Sequence, residues 1–218
     1  VEVGQLTAPD GVEDAVLAWL RAVKLQRPHV TLKFAQTLDG FTAAADGTSQ
    51  WITGPKAREW VHADRARRDA IIIGTGTALA DNPSLTARNG DGSLREHQPR
   101  RVVIGKRELQ AAGEKASHLQ QLGFEQYDTI EGALKELYAS GARNVLVEGG
   151  AGLAQSFIEA GVVDALAAYI APILLGQGRG VLANAVAHTL ADAPRFTTVR
   201  TTNLGPDVLI EYEARNER

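Results

Sequence analysis

The chain has 218 residues, 44% of them hydrophobic and 22% charged, with a formal net charge of −3 and no block of like charges. At this length a single core burying roughly 70% of the unfolded surface is the default, and so even a charge pattern shows neither a nucleic-acid footprint nor an anionic-membrane patch. The absence of cysteine excludes disulfides and thiolate zinc sites, and the five histidines (His29, His62, His97, His118, His188) never fall at i, i+4, so no metal site is expected.

No apolar run approaches the ~20 residues a membrane span needs, and residues 1 to 10 lack a basic-then-apolar signal pattern. A soluble cytoplasmic protein is expected. The 22 glycines point to tight turns or close approach of a ligand. No methionine occurs, even at position 1, which leads us to expect an excised domain.

Residues 1 to 27 read as a short extended piece, a turn at Ala8-Pro9-Asp10-Gly11, then a helix in which Val12, Ala15, Val16, Trp19 and Leu20 recur at helical spacing until Pro28 stops it. Residues 30 to 36 alternate as a strand, and Asp39-Gly40 supplies the turn after it. Gly54-Pro55 opens a helix, since proline in the first turn lacks only a donor that would be orphaned anyway; it runs to about Arg68 with Ala57, Trp60 and Val61 inward. On residue types alone, Arg58, His62 and Arg65 form a solvated polar stripe on that helix.

The run Ala70-Ile71-Ile72-Ile73 is a buried strand entering a tight turn, Gly74-Thr75-Gly76-Thr77, and a short helix; residues 101 to 105 repeat the pattern more briefly. Residues 88 to 98, rich in polar and turn formers, read as a flexible surface loop. Asp128 as N-cap with Glu131 three residues on predicts a helix carrying Ile130, Ala133, Leu134, Leu137 and Tyr138, closed by Gly141. Residues 144 to 148 form a third buried strand, joined by Gly149-Gly150-Ala151-Gly152 to a helix with Leu153, Phe157 and Ala160 inward. The last third changes character: residues 165 to 170 are strand-like, and residues 195 to 203 and 208 to 212 flank Leu204-Gly205-Pro206-Asp207 as a hairpin. Alternating strands and helices with a closing hairpin predict an α/β fold on a mixed, mostly parallel sheet flanked by helices, whose ligands gather at the carboxyl ends of strands.

Two glycine clusters follow predicted strands, and backbone amides at a helix start bind phosphate through aligned donors and the helix dipole. Neither completes the Rossmann pattern, because Leu79 and Gln155 stand where the third glycine belongs. Each also reads as plain turn geometry. Lys33, Asp81 and Glu148 are charged residues on or just past strands, and a carboxylate ending an interior strand is costly unless paired or used. An edge-strand lysine and a helix-ending Asp-Asn-Pro turn are the bland alternatives for the first two.

Four ordered motifs carry a resemblance. Residues 33 to 40 (KFAQTLDG), 46 to 53 (DGTSQWIT), 74 to 88 (GTGTALADNPSLTAR) and 147 to 150 (VEGG) resemble the reductase domain of bifunctional riboflavin-biosynthesis deaminase/reductases, with Ala171-Pro172, Leu174-Leu175-Gly176 and Gly205-Pro206-Asp207 extending the match over residues 28 to 213. The resemblance implies a reductase domain over residues 28 to 218, with residues 1 to 27 the tail of a covalently attached deaminase domain; no zinc-deaminase motif occurs in this sequence. It implies a dihydrofolate-reductase-like fold, a homodimer, and NADPH-dependent reduction of 5-amino-6-(5-phosphoribosylamino)uracil.

By the same resemblance Ala35, Trp51, Thr77, Asp81 and the turn Gly150, Ala151, Gly152, Leu153, Ala154, Gln155 and Ser156 contact the dinucleotide, with Lys106 near its adenosine end. Ser49, Arg65, Leu85, Arg88 and Glu148 hold the substrate, the two arginines matching its phosphate. Lys33, Asp81 and Glu148 are the catalytic candidates, without a choice of proton donor. The family often has glycine where Ala35 stands and a hydroxyl residue where Lys106 stands. A pterin or other pyrimidine reductase of the same fold would lack the phosphate-binding arginines, and a catalytically silent nucleotide-binding module would not need Lys33, Asp81 and Glu148.

Overall fold

A computed structural model describes residues 12 to 215. The extended opening and the turn expected at residues 8 to 11 lie outside the described residues, as do the side chains of Val12 and Ala15. In chain order the elements are α1 (Val12–Leu25), β1 (His29–Thr37), β2 (Phe41–Ala44), α2 (Pro55–Arg65), β3 (Ala70–Gly74), α3 (Thr75–Asp81), β4 (Arg100–Ile104), α4 (Ser117–Leu122), β5 (Glu125–Tyr127), α5 (Ile130–Ala139), β6 (Asn144–Glu148), α6 (Ala151–Glu159), β7 (Ala165–Ala171), β8 (Gly178–Gly180), β9 (Phe196–Leu204) and β10 (Asp207–Ala214).

Eight strands form one sheet in the order β5-β4-β3-β6-β1-β7-β10-β9, and β2 pairs with β8 in a separate two-stranded ribbon. From β5 through β7 all neighbours run parallel; β10 and β9 close the edge antiparallel. This is the expected mixed, mostly parallel sheet with a terminal hairpin. The continuous apolar runs of β3 and β6 follow from it, because an interior parallel strand is covered on both faces.

Alternation along each strand sorts the core. Val30, Leu32, Ile72, Val102, Val145 and Val147 point to one face, packed with Leu134 and Leu137 of α5 and Phe157 of α6. Ile71, Ile73, Val103 and Leu146 point to the other, with Ala78 of α3 and Leu119 of α4. A third cluster joins Ala57, Trp60 and Val61 of α2 to Tyr169, Leu204 and Leu209. The period of two therefore turns Lys33 and Glu148 away from the cluster of Val30 and Val147, toward the α2 face.

Several local expectations are corrected. The N-cap of α5 is Thr129, whose Oγ1 accepts from the Gly132 amide at 3.1 Å, and not Asp128. A hydroxyl one residue later satisfies the same orphan donor. On α6 Ala154, Gln155 and Phe157 are buried and Leu153 packs against the same core, while Ala160 is exposed just past the helix end. On α1, Val16, Trp19 and Leu20 are each about half exposed, and Ala18 and Ala22 make the buried contacts instead. Residues 88 to 98 are a tied loop: Gln98 donates to the Ala87 and Arg95 carbonyls and accepts from the Ala87 amide. Among the described residues no helix is long and apolar enough to cross a membrane.

Candidate functional site

A cleft of about 1110 Å³ opens beyond the carboxyl ends of β1, β3 and β6. That volume slightly exceeds the ~300–1,000 Å³ of ordinary single-ligand pockets, which leaves room for two molecules side by side. Three chain segments build its walls: the bend from Glu148 into α6, the turn from Ile73 through α3 to Leu85, and the loop from Thr42 to Thr53 after β1.

The floor is a buried charged group fixed by strand register. Parallel pairing sets Lys33 opposite Glu148, and equal parity puts both side chains on the α2 face. Arg65, in the last turn of α2, reaches Glu148 with two parallel bonds, Nε to Oε1 and Nη2 to Oε2, each 2.8 Å. Its third donor, Nη1, goes to the Thr86 carbonyl at 3.1 Å, which also accepts from His62 Nδ1 at 3.0 Å. The stripe read as solvated is thus engaged throughout, since Arg58 lies over the Trp51 ring, 4.6 Å from its centre. The floor and the loop past Leu85 supply partners that helical spacing alone does not reveal.

Electrostatics follow from that geometry. Burial pushes the Glu148 carboxyl up, but the adjacent Arg65 guanidinium more than reverses this and holds it at about 2. Burial lowers Lys33 against the opposing pull of Glu148. Its Nζ sits 5.5 Å from the Tyr169 ring centre and has no hydrogen-bond or salt-bridge partner among the described residues. Asp81 stands at the end of α3 beside the cleft, where desolvation raises its carboxyl. Leu85, buried in the wall, adopts a left-handed φ of 49°, unusual for a residue with a Cβ and of the kind that gathers at sites.

The bend after β6 divides its glycines by purpose. A Cβ on Gly149 would meet the Leu153 side chain at 2.7 Å, so that glycine serves helix packing, whereas a Cβ on Gly152 would meet nothing within 4 Å. Gly150 is the N-cap of α6, no side chain caps its first turn, and its own amide donates to Thr77 Oγ1 at 3.3 Å. An uncapped helix start opening on a cleft is a set of amide donors awaiting an anion. These residues fit the phosphates of a dinucleotide.

Of the residues singled out from the sequence, the cleft brings together Lys33, Ala35, Ser49, Trp51, Arg65, Thr77, Asp81, Leu85, Glu148, Gly150, Ala151, Gly152, Leu153 and Ser156. Lys106, Arg88, Ala154 and Gln155 stand outside that lining. Ala154 is buried against the core, and Gln155 is held by Glu159 and the Asn184 amide. Arg88 is exposed, its Nε donating to Thr86 Oγ1 and its Nη1 to the Gly92 carbonyl. Sequence reasoning missed Arg107 and Arg179, two arginines that line the cleft. Arg107 follows directly on Lys106, so position after β4 was the available signal; Arg179 sits in a three-residue strand that offered none. Among the described residues no group of His, Cys, Asp and Glu could hold a metal ion.

A family model described as the RibD C-terminal domain matches residues 28–210. The riboflavin biosynthesis protein RibD of Corynebacterium ammoniagenes is 67% identical over 193 residues, 88% of this chain and 57% of that protein. The chain therefore spans somewhat over half the length of that relative. A solved diaminohydroxyphosphoribosylaminopyrimidine deaminase/5-amino-6-(5-phosphoribosylamino)uracil reductase from Thermotoga maritima superposes with a TM-score of 0.73 at 28% identity, covering 91% of this chain and 60% of that one. Dihydrofolate reductase from Enterococcus faecalis, solved with NADP(H), shares the fold at a TM-score of 0.54 and 15% identity, covering 86% of this chain and 97% of that one. The fold is dihydrofolate-reductase-like, and the chain belongs to the RibD C-terminal domain family.

Proposed function

We propose that this chain catalyses the NADPH-dependent reduction of the ribosyl group of 5-amino-6-(5-phosphoribosylamino)uracil to the ribityl group, a step of riboflavin biosynthesis. The observation that carries the reading is one cleft combining an uncapped, glycine-led helix start with a buried Lys33, Arg65 and Glu148 floor. The first suits the phosphates of a dinucleotide, and the second suits a polar sugar that changes protonation. The resemblance adds a homodimer, a cytoplasmic setting and an attached deaminase domain to this proposal.

When bound, the nicotinamide supplies a hydride to the sugar C1. The chain must align the sugar with it, and alignment accounts for much of the barrier reduction in such steps. As hydride reaches C1 the ring C1–O bond is broken, and the released oxygen takes a proton. Lys33 is assigned that proton: its ammonium is unpartnered among the described residues and desolvated, which eases proton release. Glu148, kept anionic by Arg65, accepts from sugar hydroxyls and favours positive charge developing near C1. Gly150, Gly152 and Ser156 at the start of α6, with Thr77, are assigned the pyrophosphate, and Asp81 the nearby ribose. Trp51, flanked by Arg58, offers an aromatic wall. Arg107 lines the cleft where Lys106 does not, and we assign it the adenosine end.

The test follows cofactor oxidation at its near-ultraviolet absorbance with the phosphoribosylamino-pyrimidine, beside dihydrofolate. Turnover with the first and none with the second supports the reading. The reverse preference would make the chain a pterin reductase.

A further inference from the structure

The resemblance places the substrate phosphate on Arg65 and Arg88; Arg65 already spends three of its five N–H donors inside the protein, and Arg88 stands outside the cleft lining. Arg65 donates once from each of its three nitrogens to Glu148 and Thr86, and Arg88 donates to Thr86 and Gly92. Of the other lining cations, Lys33 lies against Tyr169, and Arg58 stacks on Trp51 while donating to the Thr53 carbonyl at 2.8 Å. Arg107 follows β4 of the main sheet, and Arg179 lies in the separate ribbon of β2 and β8. The guanidinium of Arg179 has no hydrogen-bond or salt-bridge partner among the described residues.

Arg179 is also held on a pinned support. It is the middle residue of β8, opposite Ala43 of β2, and Thr42 Oγ1 donates to the carbonyls of Arg179 and Gly180, both at 3.2 Å. Upstream, the Asp39 carboxylate accepts the Gly176 amide at 2.6 Å and the Leu175 amide at 3.0 Å, tying the chain before β8 to the turn after β1. Gly178 is pressed so close to the Ala43 carbonyl and Phe41 that a Cβ there has no room. The Nη2 of Arg179 lies 3.4 Å from where a Cβ on Gly47 would stand, which puts the guanidinium beside the loop that carries Ser49. Arg179 is exposed at the cleft, its backbone held and its guanidinium without a carboxylate partner among the described residues, and such a donor fork matches phosphate oxygens.

We propose that Arg179 is a phosphate anchor of this cleft, taking either the sugar phosphate of the substrate or the pyrophosphate of the dinucleotide. The inference rests on the proposed function in that both ligands carry phosphate. Its test is calorimetric and needs no turnover: wild type, Arg179→Gln and Arg179→Lys are titrated with ribose 5-phosphate, with ribose and with NADPH, and Lys135→Gln on α5 serves as the control. Loss of a charged hydrogen bond corresponds to roughly 10- to 100-fold in Kd. A rise of that size for ribose 5-phosphate alone in Arg179→Gln supports the anchor and assigns it to the sugar phosphate; a rise for NADPH alone supports it and assigns it to the dinucleotide. Arg179→Lys should fall between, and raised salt should narrow the differences. Wild-type binding with unchanged affinities in both variants overturns the anchor alone. Wild type that binds neither phosphate overturns it together with the functional reading.

Discussion

Arg65 and Glu148 meet through two parallel 2.8 Å bonds that clamp the end of β6 to the last turn of α2 directly beneath the cleft. Their side chains are only 16% and 10% exposed, so neither charge is left to water when the other is removed. Arg65→Ala should therefore do more than weaken substrate binding. Uncompensated burial costs about 3–5 kcal/mol in a closed interior, and somewhat less beside a cleft. We expect a clear fall in melting temperature for Arg65→Ala, a smaller one for Glu148→Gln, and turnover reduced at least about 100-fold in both. A double-mutant cycle should show strong coupling; additive effects in activity and stability would mean the two residues act independently.

Lys33 provides a second test through pH. Its pKa is lowered by burial, so the protonated form disappears at a lower pH than for an ordinary lysine. If Lys33 delivers the proton, activity falls on the alkaline side as that form is lost. Lys33→Met should lower turnover on the order of 100-fold and flatten the alkaline limb. An unchanged limb in a folded Lys33→Met variant would assign the titration to another group.

The glycines of the bend should separate by experiment. Gly149→Ala forces a Cβ to within 2.7 Å of Leu153 Cδ2 and 3.1 Å of Leu153 Cβ, so overpacking should destabilise the fold by about 1–3 kcal/mol. Gly152→Ala enters open space and should leave the melting temperature nearly unchanged while weakening the dinucleotide by crowding its approach. Melting curves and cofactor titration of the two variants decide this, and a Gly152→Ala variant with wild-type cofactor affinity would place the phosphates elsewhere.

His29 sets an acid limit on stability away from the cleft. It is 6% exposed, its Nδ1 has no hydrogen-bond partner, and burial lowers its pKa to about 4 against the opposing pull of Asp164. The unfolded chain, titrating near 6.5, binds the proton first as pH falls, so stability declines from about pH 6.5 down to about 4. The full effect is roughly 3 kcal/mol. Glu148 contributes only below about pH 4.5, the window between its unfolded and folded values. His29→Leu should flatten the decline between pH 6.5 and 4.5 in urea unfolding, and an equally steep decline in that variant would move the cause to another residue.

How far the sequence carried can be read from particular elements. The runs of β3 and β6 were legible because both faces are buried, and the hairpin of β9 and β10 because Gly205 and Pro206 mark its turn. The ribbon of β2 and β8 was not, since Gly178-Arg179-Gly180 has no β-forming pattern and exists only through pairing with a distant segment. The same long-range logic hid the floor of the cleft. On helical spacing alone Arg65 reads as a surface arginine until β6 delivers Glu148 to it, and the loop path leaves the Arg88 side chain exposed and outside the cleft lining. The motifs named the segments that form the cleft; which side chains face it depended on register and loop path.

The central claim is a hydride delivered to a sugar carbon in the Lys33 and Glu148 pocket, and isotope transfer addresses it most directly. The wild-type chain is incubated with the phosphoribosylamino-pyrimidine and NADPH deuterated at the nicotinamide C4, and the product is examined by mass spectrometry and NMR. The account predicts deuterium at C1 of a newly formed ribityl chain. Deuterium in the pyrimidine ring, or none transferred at all, would contradict it.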